Sequence, residues 1–170
     1  MKTKRTNRKV IIVNIVSFIL LIIPAFKLDL FYENYSTLSL NTKGYLYVLL
    51  LAILIGSILC YETYIISNNR NRSILIFLSL LIGTIIPHHV PYNLQGNLHL
   101  LFAYIGFAIL IAITYINIVN QKYRNIFIST IIISILIYLK YGMVNTLSEI
   151  IVMTSCLFFN LYVYLKKIII

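Results

Sequence analysis

Long apolar runs alternate with short polar segments along the whole chain. Six runs stand out, at residues 10–26, 45–66, 74–90, 98–119, 126–141 and 147–165. A helix needs roughly 20 apolar residues to cross about 30 Å of hydrocarbon, and the third and fifth runs are short for that. Backbone groups in lipid must bond within their own segment, and no alternation typical of barrel strands is present. The pattern therefore predicts an all-α polytopic membrane protein, a six-helix transmembrane bundle forming one domain over residues 1–170.

The first run follows a basic segment, residues 1–9, and could be read as a signal peptide. No small-x-small cleavage site follows Pro24, Ala25 and Phe26, and five more apolar runs come later. We therefore expect the first run to be retained as a membrane span.

The distribution of basic residues predicts the orientation of the spans. With the N-terminus inside, the cytoplasmic flanks hold eleven of them: Lys2, Lys4, Arg5, Arg8, Lys9, Arg70, Arg72, Lys122, Arg124, Lys166 and Lys167. The outer flanks hold three: Lys27, Lys43 and Lys140. Because cytoplasmic loops carry an excess of lysine and arginine, we expect both ends of the chain in the cytoplasm.

Most tyrosines fall at the ends of the apolar runs, where an amphipathic ring sits at the headgroup boundary. The predicted outer ends carry Tyr32, Tyr35, Tyr45, Tyr47, Tyr92, Tyr138 and Tyr141, and the inner ends carry Tyr61, Tyr64, Tyr123, Tyr162 and Tyr164. This aromatic belt agrees with the predicted spans.

Composition supports a membrane location and excludes other classes. Of 170 residues, 61% are hydrophobic and 11% are charged, and the mean hydropathy is +0.94. A soluble domain carries about a quarter charged residues. The net charge of +10 lies in clusters between apolar runs, so we expect the lipid bilayer, and no nucleic acid, as partner. Usage rich in isoleucine, asparagine and lysine indicates an AT-rich genome, and we expect a bacterial cytoplasmic membrane.

Small residues at helical spacing predict where the spans pack closely. Lipid tails are as apolar as leucine, so helices associate through close packing and a few polar contacts. Stripes of small side chains occur in the second, third and fourth runs: Ala52, Gly56 and Cys60; Ser79 and Gly83; and Ala108 and Ala112. We expect these stripes to face neighbouring helices of the same monomer, and a dimer seam is the alternative.

Four polar residues lie inside or near the apolar runs: Asn14, Glu62, Asn117 and Asn160. Polar groups at depth usually bond across helices, so we expect the asparagines to join neighbouring spans. Glu62 is near the cytoplasmic end of the second run, where it could snorkel or pair with Arg70 or Lys166. A role in proton or ion binding is the alternative.

The three histidines lie close together in the sequence, on the predicted outer side. His88 and His89 end the third run, His99 opens the fourth after Asn97, a predicted N-cap, and Glu149 could approach the same region. Three interpretations stay open. The cluster could bind zinc or copper, could form a pH-responsive or headgroup-binding site, or could be a polar interfacial hairpin whose histidines cap helix ends.

Signals for enzymatic chemistry are weak. No serine lies in a Gly-x-Ser-x-Gly setting, no glycine-rich phosphate loop occurs, and neither Cys60 nor Cys156 is near a histidine in the sequence. Both cysteines fall in apolar runs, so no disulfide framework is expected. We expect no catalytic residues and no cofactor, unless the histidine cluster binds zinc or copper.

One segment carries a family resemblance. Residues 83–107 read GTIIPHHVPYNLQGNLHLLFAYIGF, in which a helix ends in a proline-containing loop and the next helix begins with a Leu-His pair. This segment resembles the middle hairpin of the bacterial DUF998 family and, more remotely, of the Frag1/DRAM/Sfk1 group. The stretch from Tyr35 to Ser39 is similar to the serine-containing segment before their second span. The resemblance implies six spans and matches His99 to the helix-opening histidine, whereas the His88-His89 pair departs from the pattern.

These observations favour a non-enzymatic membrane protein of unassigned role that acts through lipid or protein partners at its outer face. Immunity against a membrane-active peptide, or another envelope function, is a specific version of this prediction. A metal-binding membrane enzyme or metal-handling protein using His88, His89, His99 and Glu149 is the first alternative. A small transporter is the second.

Overall fold

The structure, a computed structural model, describes residues 2–38, 40, 42–86 and 94–169. Every regular element in these ranges is helical, as the hydropathy pattern predicts. The helices are α1 (Lys2–Ile22), α2 (Tyr35–Leu38), α3 (Thr42–Ser67), α4 (Arg70–Ile85), α5 (Leu94–Asn117), α6 (Gln121–Tyr141) and α7 (Thr146–Ile169), and a 3₁₀ turn at Ile23–Phe26 continues α1.

Asparagine and glycine fix several helix ends. The side chain of Asn69 accepts a hydrogen bond from the N–H of Arg72 at the start of α4, and Asn120 accepts from the N–H groups of Lys122 and Tyr123 at the start of α6. Such N-caps satisfy backbone donors that have no partner within the helix. Gly142 ends α6 with a φ of 69°, a left-handed conformation in which glycine has no steric cost.

These caps and the polar flanks move the helix boundaries away from the apolar runs. The sixth helix, α6, begins at Gln121 rather than at residue 126, and α1 begins at Lys2 rather than at residue 10. The predicted N-cap Asn97 lies inside α5, which begins at Leu94, so that prediction is wrong. Hydropathy marks the lipid-facing part of a helix, whereas caps mark its ends.

Consecutive long helices run antiparallel, as side-chain contacts along their lengths establish. A Cβ atom added at Gly56 of α3 would lie 3.0 Å from the Phe77 ring of α4. The centroids of the Phe127 ring of α6 and the Phe159 ring of α7 are 5.2 Å apart. Further along α6, the hydroxyl of Ser134 donates to the carbonyl of Ser148, nearer the start of α7. Helix α7 contacts α1, α3, α5 and α6 and lies at the centre of the bundle.

Helices α4 and α5 approach each other closely at two glycines. A Cβ atom added at Gly83 would lie 3.2 Å from the backbone nitrogen of Ala103, and one added at Gly106 would lie 3.1 Å from the Cβ atom of Ser79. Gly83 and Ser79, on the stripe expected in the third run, therefore face α5. The expected stripe of Ala108 and Ala112 does not match the contact, because both side chains are exposed.

The two ends of the bundle differ in their basic residues. Helices α1, α4 and α6 begin, and α3, α5 and α7 end, at the same end of the bundle, which we call the basic end. We call the opposite end the Glu149 end. At the basic end, Lys167 of α7 donates from Nζ to the carbonyl of Ile66 at 2.6 Å, in the last turn of α3. A cation stabilises a helix C-terminus, whose last carbonyls lack partners within the helix.

At the Glu149 end, the segment after α1 is bonded to the start of α7. The N–H and hydroxyl of Thr146 both donate to the carbonyl of Glu33, at 2.7 and 2.8 Å, and the N–H of Leu147 donates to the carbonyl of Leu30. The side-chain amide of Asn34 donates to the carbonyl of Val144. These bonds satisfy the N-terminal donors of α7 and hold the loop against the bundle.

The interior of the bundle holds polar side chains beside its apolar core, and the outer surface is largely apolar. Buried polar side chains include Asn14, Ser17, Glu62, Thr63, Ser79, Thr114, Ser134 and Asn160, whereas many large apolar side chains are exposed, among them Ile12, Ile15, Ile19, Leu136 and Leu139. This distribution is typical of a chain whose solvent is lipid.

Within the described residues, five helices are long and apolar enough to cross a membrane. They cover Asn7–Phe26, Thr42–Ser67, Leu94–Asn117, Gln121–Tyr141 and Thr146–Ile168. Helix α4 has 16 residues and spans about 24 Å at a rise of 1.5 Å per residue, which is shorter than the hydrocarbon core. Residues 87–90 of the predicted third span lie outside the described residues. The described chain is therefore a helical bundle of multi-pass membrane type.

Candidate functional site

A cavity of about 110 Å³ lies between α3, α4, α5 and α7, toward the Glu149 end. Its polar lining side chains are Tyr35, Thr84, His99 and Glu149. The remaining walls are mostly apolar and come from Val48, Leu51, Ala52, Ile55, Gly56, Leu59, Leu80, Gly83, Ala103, Phe107 and Met153. We call this the Glu149 cavity.

Glu149 is positioned by the start of α7. It lies in the first turn of the helix, where the macrodipole favours a negative charge. Its Oε2 atom accepts a hydrogen bond of 2.8 Å from the N–H of Tyr35, the first residue of α2. The side chain is partly exposed and lines the cavity. The carboxylate therefore borders an otherwise mostly apolar space.

Tyr35 connects the cavity wall to α1. Its side chain is buried, and its phenol donates to the carbonyl of Leu21 near the end of α1. Burial, then the charge of Glu149, then the neighbouring Tyr47 phenol, raise the pKa of Tyr35 above its ordinary range. The phenol consequently stays protonated near neutral pH and remains a hydrogen-bond donor.

His99 lines the same cavity from α5. Its Nδ1 atom lies 3.0 Å from the carbonyl oxygen of Ile86, at the end of α4. A carbonyl only accepts hydrogen bonds, so Nδ1 carries the proton, and in neutral imidazole Nε2 is then the acceptor. His99 therefore holds the start of α5 against the end of α4.

The described residues include only part of the predicted histidine cluster. His99 and Glu149 line the same cavity, while His88 and His89 lie outside the described residues. No group of three or more histidine, cysteine or acidic side chains with metal-binding geometry occurs within the described residues. Zinc or copper binding stays a prediction.

A second polar region, the Glu62 network, lies in the interior nearer the basic end. Glu62 of α3 is 0% exposed. Its Oε1 atom accepts a hydrogen bond of 2.6 Å from the amide of Asn14 on α1, and its Oε2 atom accepts one of 2.8 Å from the amide of Asn160 on α7. The hydroxyl of Thr114 on α5 donates to Oδ1 of Asn160 at 3.3 Å. Three helices therefore meet at one buried carboxylate, and α5 joins the network through Asn160.

This arrangement differs from the expectation for Glu62. We expected the carboxylate to snorkel or to pair with Arg70 or Lys166, both of which are exposed. The carboxylate instead points into the bundle, where the amides of Asn14 and Asn160 stabilise it. Hydropathy locates Glu62 near a helix end but does not specify which face of α3 it occupies.

Other predicted polar and small residues have local roles. The Asn117 amide donates to the carbonyl of Ile113 in its own helix, so the contact is not between helices. Ala52 and Gly56 line the Glu149 cavity. Cys60 lies in an open groove between α3 and α4, and Cys156 is buried, both as free thiols.

Sequence reasoning missed several members of these two regions. Tyr35 was predicted as an interfacial tyrosine rather than as a partner of Glu149, and Thr114 was not singled out. The sequence pattern also did not predict that Ser17 and Thr63 are fully buried. One signal was present, because Asn14 and Ser17 are three residues apart and therefore share a face of α1.

Removal of one amide from the Glu62 network provides a stability test. Replacing Asn160 with leucine leaves a buried carboxylate oxygen without its donor, so we expect a loss of about 1–3 kcal/mol in the free energy of unfolding. Asn117→Leu is the matched control and should change it by less than about 0.5 kcal/mol. Denaturant titration in mixed micelles measures both values. Equal losses in the two variants would contradict the network.

No protein-family model, curated protein or solved structure matches this chain. The resemblance to the DUF998 family accordingly stays a prediction from residues 83–107. The functional argument depends on the Glu149 cavity and the Glu62 network.

Proposed function

We propose that this chain is a non-enzymatic multi-pass membrane protein that binds an amphipathic cation in the Glu149 cavity. The partner is an ammonium group on an apolar stem, as carried by a lysine-rich membrane-active peptide. One observation carries the proposal: the carboxylate of Glu149 borders a cavity whose walls are mostly apolar.

The charge of the cavity favours a cation. Glu149 is a carboxylate that accepts from the N–H of Tyr35, and the neutral Tyr35 phenol donates to the carbonyl of Leu21, so neither contact brings a positive charge to the cavity. Charge-assisted hydrogen bonds between a cation and a carboxylate are shorter and stronger than neutral ones. An ammonium group would therefore find a preformed partner there.

The size of the cavity favours a single side chain or a short alkyl stem. Its volume of about 110 Å³ is comparable to the dry, apolar engineered cavity of about 150 Å³ that holds benzene. An extended lipid chain would not fit within it. The partner would insert one apolar stem, with the rest of the molecule remaining outside.

A role in self-protection follows from this chemistry. A membrane-active peptide combines cationic groups with apolar stems, and a membrane protein that binds those groups could sequester it. We place the protein in a bacterial cytoplasmic membrane with the Glu149 end outside, because the basic residues concentrate at the opposite end.

We also propose six spans with both ends in the cytoplasm. Helix α4 returns antiparallel to α3 after a connection of two residues, Asn68 and Asn69, and packs along α5 through Gly83. A helix of 16 residues can cross a bilayer that thins locally, at a modest cost per ångström of mismatch. The antiparallel packing of α3, α4 and α5 supports this count.

Cysteine labelling tests the six-span proposal. In a background with Cys60 and Cys156 replaced by serine, Lys27→Cys should react with a membrane-impermeant maleimide in intact cells. Val119→Cys, in the connection after α5, should react only after the cells are opened, because α3, α4 and α5 all cross between the two positions. Both sites are exposed. Labelling of both from the same side would contradict a spanning α4.

Hexylammonium is a suitable probe of the Glu149 cavity, with hexanol as its uncharged counterpart. In detergent, hexylammonium should raise the midpoint of thermal unfolding of the wild-type protein, because a ligand that binds the folded state stabilises it by about 1.4 kcal/mol at tenfold its Kd. Glu149→Gln keeps an acceptor for Tyr35 but removes the charge, and Ala52→Leu fills the cavity. Both should abolish the response.

Ala112→Leu is the control for the cavity-filling change, because Ala112 is exposed on α5. It should retain the full response to hexylammonium. A response of equal size in Glu149→Gln, or an equal response to hexanol, would overturn the proposal.

A further inference from the structure

Glu62 is a buried carboxylate without a cationic partner among the described residues. Its exposure is 0%, and both carboxylate oxygens accept from neutral amides, those of Asn14 and Asn160. In water a carboxylate needs no partner, but in a bundle interior the effective desolvation penalty of an ion is several kcal/mol. An ionisable residue inside a membrane protein usually marks a functional site for this reason.

The side chains of the Glu62 network are neutral apart from Glu62 itself. Helix α1 contributes Asn14, α7 contributes Asn160, and α5 contributes Thr114, which donates to Asn160. At the basic end, Lys167 donates from Nζ to a backbone carbonyl at the end of α3 rather than to this carboxylate. The carboxylate therefore lacks a compensating charge among the described residues.

Three further buried oxygen atoms lack hydrogen-bond partners, and two of them lie on α1. They are Oδ1 of Asn14, Oγ of Ser17 and Oγ1 of Thr63. Asn14 is 5% exposed, and Ser17 and Thr63 are both 0% exposed. Ser17 lies one turn beyond Asn14 on the same face of α1, whereas Thr63 follows Glu62 on α3 and does not share its face. An orphaned polar atom in a protein interior costs about 1–3 kcal/mol, so the two on the α1 face that meets Glu62 need an explanation.

We propose that Glu62, Asn14 and Ser17 form a binding site for a dehydrated alkali-metal cation, with Na⁺ as the representative ion. One monovalent cation balances one carboxylate, whereas a divalent ion would leave a net positive charge in the bundle interior. Oxygen atoms from carboxylate, amide and hydroxyl groups are the ligands that hard cations prefer. A proton would balance the charge as well, but it would use only one of the unpaired oxygens.

The site lies close enough to the basic end for an ion to enter from that side. Glu62 precedes the last residue of α3, Ser67, by five positions, a distance of about 7.5 Å along the helix. The next polar contact toward the basic end joins the phenol of Tyr164 to Oδ1 of Asn7, at 3.3 Å. These two polar side chains lie between the site and the end of the bundle. The inference does not depend on ligand binding in the Glu149 cavity.

Thermal unfolding of the purified protein tests the inference. The unfolding midpoint is measured in detergent at fixed pH while NaCl replaces choline chloride at constant ionic strength, and then with LiCl and KCl. We expect the midpoint to rise with Na⁺ and to saturate. Glu62→Gln should abolish this dependence, whereas Glu149→Gln, the matched change in the other interior region, should retain it.

Ser17→Ala is a second variant that tests the inference even if Glu62→Gln fails to fold. Because Ser17 Oγ has no hydrogen-bond partner, its removal should not lower the midpoint in choline chloride, while the affinity for Na⁺ falls about tenfold, equivalent to about 1.4 kcal/mol. An unfolding midpoint of the wild type that does not change with Na⁺, Li⁺ or K⁺ overturns the inference. So does a midpoint that responds to pH alone, which would identify a proton as the occupant, and so does an unchanged Na⁺ affinity in Ser17→Ala.

Discussion

The desolvated carboxylate of Glu62 is the constraint around which the bundle is organised. Lipid surrounds the helices, so apolar contact alone gives little net drive for their association. A buried carboxylate, in contrast, must have its hydrogen bonds satisfied from within the protein. Because Asn14 lies on α1 and Asn160 on α7, satisfaction of Glu62 fixes the position of both helices relative to α3. Thr114 extends the same requirement to α5.

The two interior regions lie along one axis of the bundle. The Glu149 cavity extends down to Leu59 of α3, three residues before Glu62, so less than one helical turn of α3 separates the cavity lining from the network. At the Glu149 end the polar groups border an open space, whereas at Glu62 they are packed against one another. A partner that inserts into the cavity would therefore approach the layer that holds α1, α3 and α7 together.

The sequence predicted the class of fold because hydropathy directly reports contact with lipid. Five of the six apolar runs appear as helices of spanning length, and α4 departs from this because its described helix ends at Ile85. The candidate site was harder to predict. Polar residues at depth were recognised, but Glu62 and Asn117 show that a polar residue near a helix end can face the interior or bond to its own helix. The choice depends on helix rotation, which an apolar run with a nearly uniform circumference does not specify.

A double-mutant cycle between Glu62 and Asn160 tests most directly whether the network organises the bundle. Unfolding free energies are measured in mixed micelles for Glu62→Leu, Asn160→Leu and the double variant. Each single change leaves a buried polar group unpaired, while the double change removes both groups, so the account predicts a coupling energy within the range of about 0.5–3 kcal/mol typical of contacting residues. Additive losses within about 0.3 kcal/mol would show that the two side chains do not depend on each other, which would contradict the account.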